Sequence, residues 1–348
     1  MLALRIVGGL FAATLLVSSV IRHRRRRISR LNLLISLAVG VVVGALAVVP
    51  DVFDPLFRLF NFRPGGRQRL LALSLFANLL LFALLLRNMG QVDTVGRNLS
   101  VLVEALAVQA FDWDQARELP DGRRVLVVLP AHDEADVVGE VVRAMPREVE
   151  GRPVLPLVVD DASQDATAAV AREAGALVAR LPIRRGGGMA LRVGYEVALK
   201  LDAEVIASMD ADGQHVPEEL PAVVGPVLRG EADMVQGSRV LGEFERESHV
   251  RHAGVRFFSW LVSLMTGVRV TDVSNGYRAT RADTLRRLVL TQDQFWTSEL
   301  LIEGWRHRAR IREVPVTVRA RAAGSSKKPK SLRYGWNFTK AILQTWLR

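Results

Sequence analysis

The sequence predicts an α/β protein with a mostly parallel sheet covered by helices on both faces, preceded by three transmembrane helices. Two observations support this fold class. Three long apolar runs follow one another near the N-terminus. From Arg123 onward, short β-branched runs alternate with helical segments, as in parallel sheets covered on both faces. We therefore predict a transmembrane domain (1–92), an amphipathic linker helix (93–122), an α/β domain (123–330) and a C-terminal amphipathic helix (331–348).

The three apolar runs cover residues 2–21, 31–50 and 70–86, and each is long enough to cross a hydrocarbon core of about 30 Å. Six arginines lie between the first two runs, at positions 22–30. The positive-inside rule places that loop, and the chain after the third run, in the cytoplasm. We therefore expect a multi-pass protein of the plasma membrane. A signal peptide is the alternative for the first run, but no small-residue cleavage site precedes Arg22.

The segment 93–111 is predicted to form the linker helix, because Leu99, Leu102, Val103 and Leu106 repeat at helical spacing. Packing against the next domain is the preferred role of this stripe, and self-association into a homo-oligomer is the alternative. Three spans followed by such a helix resemble a small bacterial membrane domain of unknown function, DUF2304, which often accompanies glycosyltransferases.

Composition restricts the partners and the chemistry. The formal net charge of +11 favours anionic partners, either phosphorylated ligands or an acidic lipid surface. Nucleic acid is not expected, since the chain has only 3 Tyr and no stretch that alternates basic with aromatic residues. The absence of Cys excludes disulfides, thiolate zinc sites and cysteine nucleophiles.

Polar residues collect directly after the predicted strands 125–129, 155–159, 177–181 and 205–209. The carboxyl ends of strands are where open α/β sheets bind ligands. Asp210 and Asp212 follow the fourth strand, and two such carboxylates suit Mg²⁺ or Mn²⁺ beside a diphosphate. Asp160 and Asp161 follow the second strand, where a helix-capping turn is an additional interpretation. The glycines at 186–188 allow a close backbone approach to a ligand, but they match neither a dinucleotide fingerprint nor a P-loop.

The segment 123–330 resembles family 2 glycosyltransferases, most closely the dolichol-phosphate mannose synthase-like branch. Seven motifs of that family occur in order: P-A-H-D-E at 130–134, D-D-A-S-Q-D-A-T at 160–167, the glycine stretch at 186–194, D-A-D-G-Q-H at 210–215, G-S-R at 237–239, D-V-S-N-G-Y-R at 272–278, and E-V-P at 313–315 followed by R-A-A-G-S-S-K at 321–327. Asp133 stands where the family has Asn. The resemblance implies the GT-A fold of nucleotide-diphospho-sugar transferases.

The resemblance also implies a role for each matched residue. The nucleotide-sugar would be bound by Pro130, His132, Glu134, Asp160, Asp161, Gly188, Asp210 and Ala211. A divalent cation, Mg²⁺ or Mn²⁺, would be bound by Asp210, Asp212 and Gln214. The acceptor phosphate would be bound by Arg239, Arg251, Arg321, Ser326 and Lys327. Asp212, Arg239 and Asp272 would be catalytic. For Arg251 a solvated charged loop is an equal alternative.

The expected function is inverting transfer of a hexose from GDP-mannose or UDP-glucose to a polyprenyl phosphate at the cytoplasmic membrane face. Transfer to another glycan or lipid acceptor of cell-envelope polysaccharide synthesis is the alternative. The absence of a Q-x-x-R-W motif argues against chain extension. A scaffold that only binds nucleotide-sugar is disfavoured by the intact set of Asp210, Asp212, Gln214 and Arg239. The amphipathic segment 332–348 is expected either to lie on the anionic leaflet or to pack against the domain.

Overall fold

The protein is described here by a computed structural model that covers residues 2–24, 30–48, 67–117, 119, 122–243, 249–293, 295–320 and 332–347. The chain divides into two compact units, Met1–Thr94 and Val95–Arg348. The boundary between them falls inside a helix.

The first unit contains helices α1 (Leu2–Arg24) and α2 (Arg30–Val48), which pack against each other. Ala12 and Ser19 of α1 are buried, with 3% and 4% of their surface exposed. Among the residues that the structure describes, no helix combines the length and the apolar character that crossing a membrane requires. The three predicted spans are therefore not supported.

Helix α3 (Arg67–Gln109) is 43 residues long. The third predicted span and the predicted linker helix are thus parts of one helix. Helix α3 contains no proline, the residue that most strongly interrupts a helix, and its two glycines cost only about 1 kcal/mol each. At its end, Val103 and Ala107 are buried in the second unit, whereas Leu99, Leu102 and Leu106 of the predicted stripe are exposed.

The second unit is built on a mixed sheet. Its eight strands within the described residues are β1 (Arg124–Ala131), β2 (Glu148–Val149), β3 (Arg152–Asp160), β4 (Leu177–Arg180), β5 (Ala203–Ser208), β6 (Met234–Ser238), β7 (Arg278–Arg281) and β8 (Ile311–Pro315). Their order is β2-β3-β1-β5-β7-β6-β8, with β4 paired to β3. A strand is found at each of the four positions predicted between residues 125 and 209.

The direction of β7 determines which strand ends lie together at one edge of the sheet. β1, β3, β4 and β5 run parallel to one another, and β6 runs parallel to β8. β7 lies antiparallel between β5 and β6. The carboxyl ends of β1, β3, β5 and β6 therefore share one edge with the amino end of β7.

Helices cover both faces of this sheet. They are α4 (Trp113–Arg117), α5 (Ala135–Arg143), α6 (Thr167–Glu173), α7 (Gly187–Lys200), α8 (Leu220–Leu228), α9 (His249–Thr266), α10 (Ala282–Leu285), α11 (Trp296–Arg306) and α12 (Leu332–Leu347). Alternate residues of β1 point to opposite faces, as the strand period of two requires. Val125 and Val127 join the core under α5 and α8, whereas Leu126 and Val128 join the core under α3 and α7.

A third apolar cluster holds the C-terminal helix against α9 and α11. Phe338 and Ile342 of α12 are 4% and 0% exposed, and the Phe338 and Phe258 ring centroids are 4.5 Å apart. Trp346 stacks on Trp305 at 5.0 Å. Arg306 donates from Nη2 to the carbonyls of Thr345 and Trp346 near the end of α12. Packing against the domain, one of the two alternatives for this segment, thus accounts for one of its faces.

The start of β6 carries an ion pair that makes the stability depend on pH. Hydrogen bonds from Arg310, at 2.9–3.0 Å, lower the pKa of Asp233 to about 2. This carboxylate stabilises the fold fully above its unfolded pKa of about 3.9 and progressively less as the pH falls toward 2. We expect Asp233→Asn to lower Tm by about 2–4 °C at pH 7, and roughly half of that difference to disappear at pH 3.

Calorimetric melting at both pH values tests this prediction. The control is Asp283→Asn, since Asp283 is 80% exposed in its ion pair with Arg286 and surface pairs of this kind contribute little. A Tm difference for Asp233→Asn that stayed constant from pH 7 to pH 3 would contradict the assignment.

Candidate active site

Six loops meet at the shared edge of the sheet. They follow β1 (131–135), β3 (160–167), β4 (184–188), β5 (209–215) and β6 (238–239), and the sixth precedes β7 (271–277). Most of the residues implied by the family resemblance lie on these loops. Hydrogen bonds between the loops show what each side chain does in the fold.

The loop after β3 holds the loop after β1. The Asp133 N–H donates to Ser163 Oγ at 3.0 Å, and the Glu134 N–H donates to Thr167 Oγ1 at 2.9 Å. The Ala135 N–H donates to Asp165 Oδ2 at 3.1 Å. The polar residues at 163, 165 and 167 therefore position the segment that carries His132 and Glu134.

Asp165 and His132 both take part in these contacts between the two loops. Burial alone would raise the pKa of Asp165, but hydrogen bonds from Thr167 and from the Ala135 N–H outweigh it and hold that pKa below its usual value. His132 places Nδ1 2.9 Å from the Asp161 carbonyl and Nε2 3.2 Å from the Asp133 carboxylate. Both ring nitrogens of this imidazole, which is predicted to contact the nucleotide, therefore have a partner in the fold. These contacts fix the orientation of the ring at one side of the site.

Asp160 and Asp161 both serve the architecture of the loops. Asp160 Oδ1 accepts from the Ser163 N–H at 2.8 Å, and Oδ2 lies 3.1 Å from Nε of Arg180. The two oxygens of Asp161 accept from the N–H groups of Arg185 and Gly186, each at 2.7 Å. Burial raises the pKa of Asp161 despite these two bonds. Each Asp161 oxygen has a second lone pair, so a nucleotide contact remains compatible with this role.

Gly188 packs closely against the segment 291–293. Its N–H donates to the Asp293 carbonyl at 2.9 Å, so this donor is already used inside the fold. A Cβ at this position would lie 2.2 Å from the Gln292 carbonyl oxygen, so glycine is needed here for close packing. The predicted contact of Gly188 with the nucleotide-sugar stays a prediction.

The loop after β5 is locked to the loop before β7. The Asp210 N–H donates to His215 Nδ1 at 3.2 Å, so the ring proton of a neutral His215 lies on Nε2. Nε2 is 2.8 Å from Asn275 Oδ1, which also accepts from the Tyr277 N–H at 2.9 Å. A Cβ on Gly276 would stand 2.8 Å from Asp210 Oδ1. The carboxylate of Asp210 therefore lies directly against the backbone of this second loop, and only glycine leaves it room.

Asp210 and Asp212 fit the chemistry of a divalent cation. Mg²⁺ in phosphate-transferring sites is commonly held by one or two carboxylates plus the phosphates of the substrate. Within the described residues no group of three or more His, Asp or Glu side chains converges on a metal position, so the remaining ligands have to come from elsewhere. Gln214 donates from Nε2 to the Arg319 carbonyl at 3.1 Å. Its assignment as a metal ligand stays a prediction.

Arg239 is held by a buried carboxylate. Asp272 is 0% exposed, and its Oδ2 accepts from Nε of Arg239 at 2.6 Å while Oδ1 accepts from Nη2 at 3.3 Å. Glu313, of the E-V-P motif, accepts from the N–H groups of Thr271 and Asp272 at 2.9–3.2 Å. Burial raises the pKa of Glu313. Asp272, predicted to be catalytic, therefore orients Arg239, and Glu313 orients Asp272.

Arg278 is a buried cation that sequence reasoning did not assign to the site. It is 2% exposed and donates to the carbonyls of Thr297 and Asn275 at 2.9 and 2.6 Å. Its guanidinium lies 5.1 Å from the centroid of the Trp296 ring. Burial lowers its pKa to about 10, so it stays charged at neutral pH and adds positive potential beneath Asp210 and Asp272. Its position at the end of the D-V-S-N-G-Y-R motif was the available signal.

The remaining predicted site residues are distributed as follows. Pro130 lies in β1, in register with Val159, and Ala211 is buried between the two carboxylates. Arg251 lies in α9, but its side chain is outside the described residues. Arg321, Ser326 and Lys327 also fall outside them. Their predicted contacts with phosphate stay predictions.

Comparison with known proteins identifies the family. The model of glycosyl transferase family 2 matches residues 126–289. The undecaprenyl-phosphate mannosyltransferase of Micrococcus luteus is 33% identical over 219 residues, which cover 59% of this chain and 87% of that protein. The polyprenol monophosphomannose synthase of Mycolicibacterium smegmatis is 31% identical over 230 residues, 59% of this chain and 81% of that protein. The chain belongs to glycosyl transferase family 2.

A solved structure confirms the fold of this glycosyltransferase. Glucosyl-3-phosphoglycerate synthase from Mycobacterium tuberculosis, in complex with Mn²⁺, UDP and glucosyl-3-phosphoglycerate, superimposes with a TM-score of 0.52 at 24% identity. The match covers 65% of this chain and 79% of that chain. The predicted GT-A fold is therefore confirmed. The resemblance of the N-terminal block to DUF2304 is not confirmed by any of these matches and stays a prediction.

Proposed function

We propose that this glycosyltransferase transfers a hexose from a nucleotide-sugar to a polyprenyl phosphate with inversion of configuration. The observation that carries the proposal is that Asp210, Asp212 and Arg239 lie on loops at the same edge of the sheet. The carboxylates suit a cation beside the donor diphosphate, and the guanidinium suits a second phosphate. The named activities of the Micrococcus and Mycolicibacterium relatives support a lipid phosphate as that second group.

The proposed reaction is one in-line displacement. An oxygen of the acceptor phosphate forms a bond to the anomeric carbon, and the bond from that carbon to the diphosphate oxygen breaks, with the electron pair leaving on the nucleoside diphosphate. A phosphate monoester has a second pKa of about 6, so the acceptor is ionised at neutral pH and needs no general base. Alignment and charge compensation are then the tasks of the protein.

Each task has a residue in the structure. Arg239 suits the acceptor phosphate because its planar guanidinium can donate two parallel hydrogen bonds. Asp272 fixes its orientation by accepting hydrogen bonds from Nε and Nη2. Asp210 and Asp212 hold the cation, which when bound supplies positive charge that offsets the charge on the departing diphosphate. His132, Asp133 and Asp161 form the wall on the nucleotide side.

We further propose that the second unit rests on a membrane surface through exposed apolar faces of α9 and α12. On α9, Phe257, Trp260 and Leu264 are 52%, 58% and 66% exposed and lie on one face of the helix. On α12, Trp336 and Leu347 are 70% and 81% exposed, while the opposite face packs inside. Exposed Trp beside basic side chains is typical of helices that lie in the membrane interface. Location at the cytoplasmic face stays a prediction that rests on the arginines at 22–30.

Quenching of Trp fluorescence by brominated lipids tests this surface. Bromine quenches only on contact, so we expect the full-length protein to be quenched in anionic vesicles. The double variant Trp260→Phe, Trp336→Phe is expected to lose most of that quenching, because Phe keeps the apolar mass without the fluorophore. Trp113→Phe is the control, since Trp113 packs in the core and donates to the Val108 carbonyl. Unchanged quenching in the double variant would refute the surface.

The function itself is tested by turnover. The purified protein is incubated with Mn²⁺ and radiolabelled GDP-mannose or UDP-glucose, together with polyprenyl phosphate or the corresponding polyprenol. We expect label in the organic phase only with the phosphorylated lipid and only with one of the two donors. Equal labelling of the unphosphorylated alcohol, or transfer only to added glycan, would contradict the proposal.

A further inference from the structure

The glycine loop at 184–188 is held from two sides. On one side, Asp161 accepts from its N–H groups at 185 and 186. On the other side, the Asp293 carbonyl accepts from the Gly188 N–H at 2.9 Å. The position of the loop therefore depends on Asp293 as much as on Asp161.

Asp293 also organises two arginines of this region. Its Oδ2 lies 2.6 Å from Nη2 of Arg185, and its Oδ1 lies 2.7 Å from Nη2 of Arg192. The side chains are only partly exposed, 24% for Asp293, 21% for Arg185 and 9% for Arg192. Charge-assisted hydrogen bonds in such surroundings are about twice as strong as neutral ones. The carboxylate thus connects the start of the glycine loop with the body of α7.

Helix α3 reaches the same two arginines. Arg185 Nη2 donates to Ser100 Oγ at 2.8 Å, and Nε of Arg192 lies 3.5 Å from Glu104 Oε2. Ser100 and Glu104 are four residues apart, so they lie on the same side of the helix. The glycine loop is therefore joined to α3 by side chains as well as to the segment 291–293.

The segment 291–293 is itself fixed by hydrogen bonds to Glu299. The buried Glu299, 0% exposed, accepts from the N–H groups of Thr291 and Gln292 at 2.9 and 3.0 Å. This carboxylate is therefore structural. Its contacts make the segment rigid enough to hold a loop.

Ser100, Glu104 and Asp293 lie outside residues 126–289, the part of the chain that matches the family model. None of them is part of a motif that the sequence analysis singled out, so the motifs gave no sign of these contacts.

We infer that Ser100, Glu104 and Asp293 are positioning residues that set the glycine loop for binding of the nucleoside diphosphate of the donor, and that α3 thereby controls donor affinity. The inference rests on the proposed function for the identity of the ligand. The loop begins at Arg184 and leads into the N-terminus of α7, where the helix dipole favours an anion such as a diphosphate. Loss of the contacts lets the loop shift and weakens donor binding, while the acceptor side with Arg239 is untouched.

Calorimetric titration of the full-length protein with UDP-glucose and with GDP-mannose, in Mn²⁺ and without acceptor, tests the inference. Asp293→Asn is expected to raise the Kd of whichever donor binds by about tenfold, the effect of losing one charge-assisted hydrogen bond. Ser100→Ala is expected to raise it less, and Ser100→Thr is expected to restore it because the hydroxyl returns. Asn98→Ala is the matched control, since Asn98 is exposed on the same helix. The KM for polyprenyl phosphate is expected to stay at its wild-type value, and the Tm of Asp293→Asn is expected to fall by only a few degrees, as for Asp233→Asn.

The outcomes separate this inference from the proposed function. Wild-type donor binding with an unchanged Kd in Asp293→Asn would overturn the inference and leave the proposed function intact. An increase in acceptor KM as large as the increase in donor Kd would show a general structural role and also overturn it. Failure of the wild type to bind either donor would sink both.

Discussion

Asp212→Asn is expected to lower the rate of sugar transfer by about a thousandfold. Removal of one of the two carboxylates that hold the cation takes away charge compensation at the leaving diphosphate, and single preorganised electrostatic contacts of this kind contribute two to three orders of magnitude. The substitution preserves the fold, because Asn Oδ1 can still accept from the Gln214 N–H, as Asp212 Oδ1 does at 3.1 Å. Asp210→Asn is expected to have the same effect.

The measurement is kcat in Mn²⁺, with EDTA and with the metal restored. Wild-type activity is expected to disappear in EDTA and to return with Mn²⁺ or Mg²⁺. Asp202→Asn is the control, since Asp202 is exposed after α7 and its backbone φ of 53° is one that Asn tolerates. Wild-type rates in Asp212→Asn, or activity that EDTA leaves unchanged, would remove these aspartates from the mechanism.

Arg239→Lys is expected to lower kcat/KM for polyprenyl phosphate by about a hundredfold. Lysine keeps the positive charge but cannot donate in parallel to Asp272 and to a phosphate oxygen, because it lacks the planar fork of the guanidinium. Asp272→Asn is expected to lower activity similarly and to lower Tm as well. The asparagine amide would replace a buried carboxylate that is paired with Arg239, and breaking a buried ion pair is strongly destabilising.

Steady-state kinetics and melting curves distinguish the two variants. Arg239→Lys is expected to melt within a few degrees of the wild type, so its loss of activity reports on phosphate binding alone. Arg269→Lys provides the control for a surface arginine of the same unit, exposed after α9. If Arg239→Lys turned over at the wild-type rate, the phosphate contact would have to be reassigned.

The sequence predicted the parts of the site that are encoded locally. Asp210 follows a run of buried residues that forms β5, and short β-branched runs of this kind leave few alternatives to a strand. The polar residue after such a strand lies at its carboxyl end in any parallel sheet. The parallel sheet followed from the same repetition of strand and helix, and the resemblance to family 2 glycosyltransferases implied the GT-A fold.

Long-range contacts could not be predicted in this way. Arg185 and Asp293 are 108 positions apart, and no periodicity or turn chemistry connects them. The tight approach of Gly188 to Gln292 could not be predicted for the same reason. Asp272 was assigned to catalysis because its motif matched, and its buried contact with Arg239 was not visible in that motif. The three predicted spans rested on hydropathy alone, and the described helices do not support them.

The reversed direction of β7 has a consequence for engineering this enzyme. The turn that precedes β7 supplies both Gly276, against Asp210, and Asp272, against Arg239, so the two proposed substrate half-sites share one short peptide. A chimaera that imports a new acceptor specificity at 239 would have to import 271–277 with it, and would thereby change the surroundings of Asp210. The nucleotide wall at 130–165 is coupled to a different segment, because Asp161 holds the glycine loop at 184–188, and the two would have to be exchanged together.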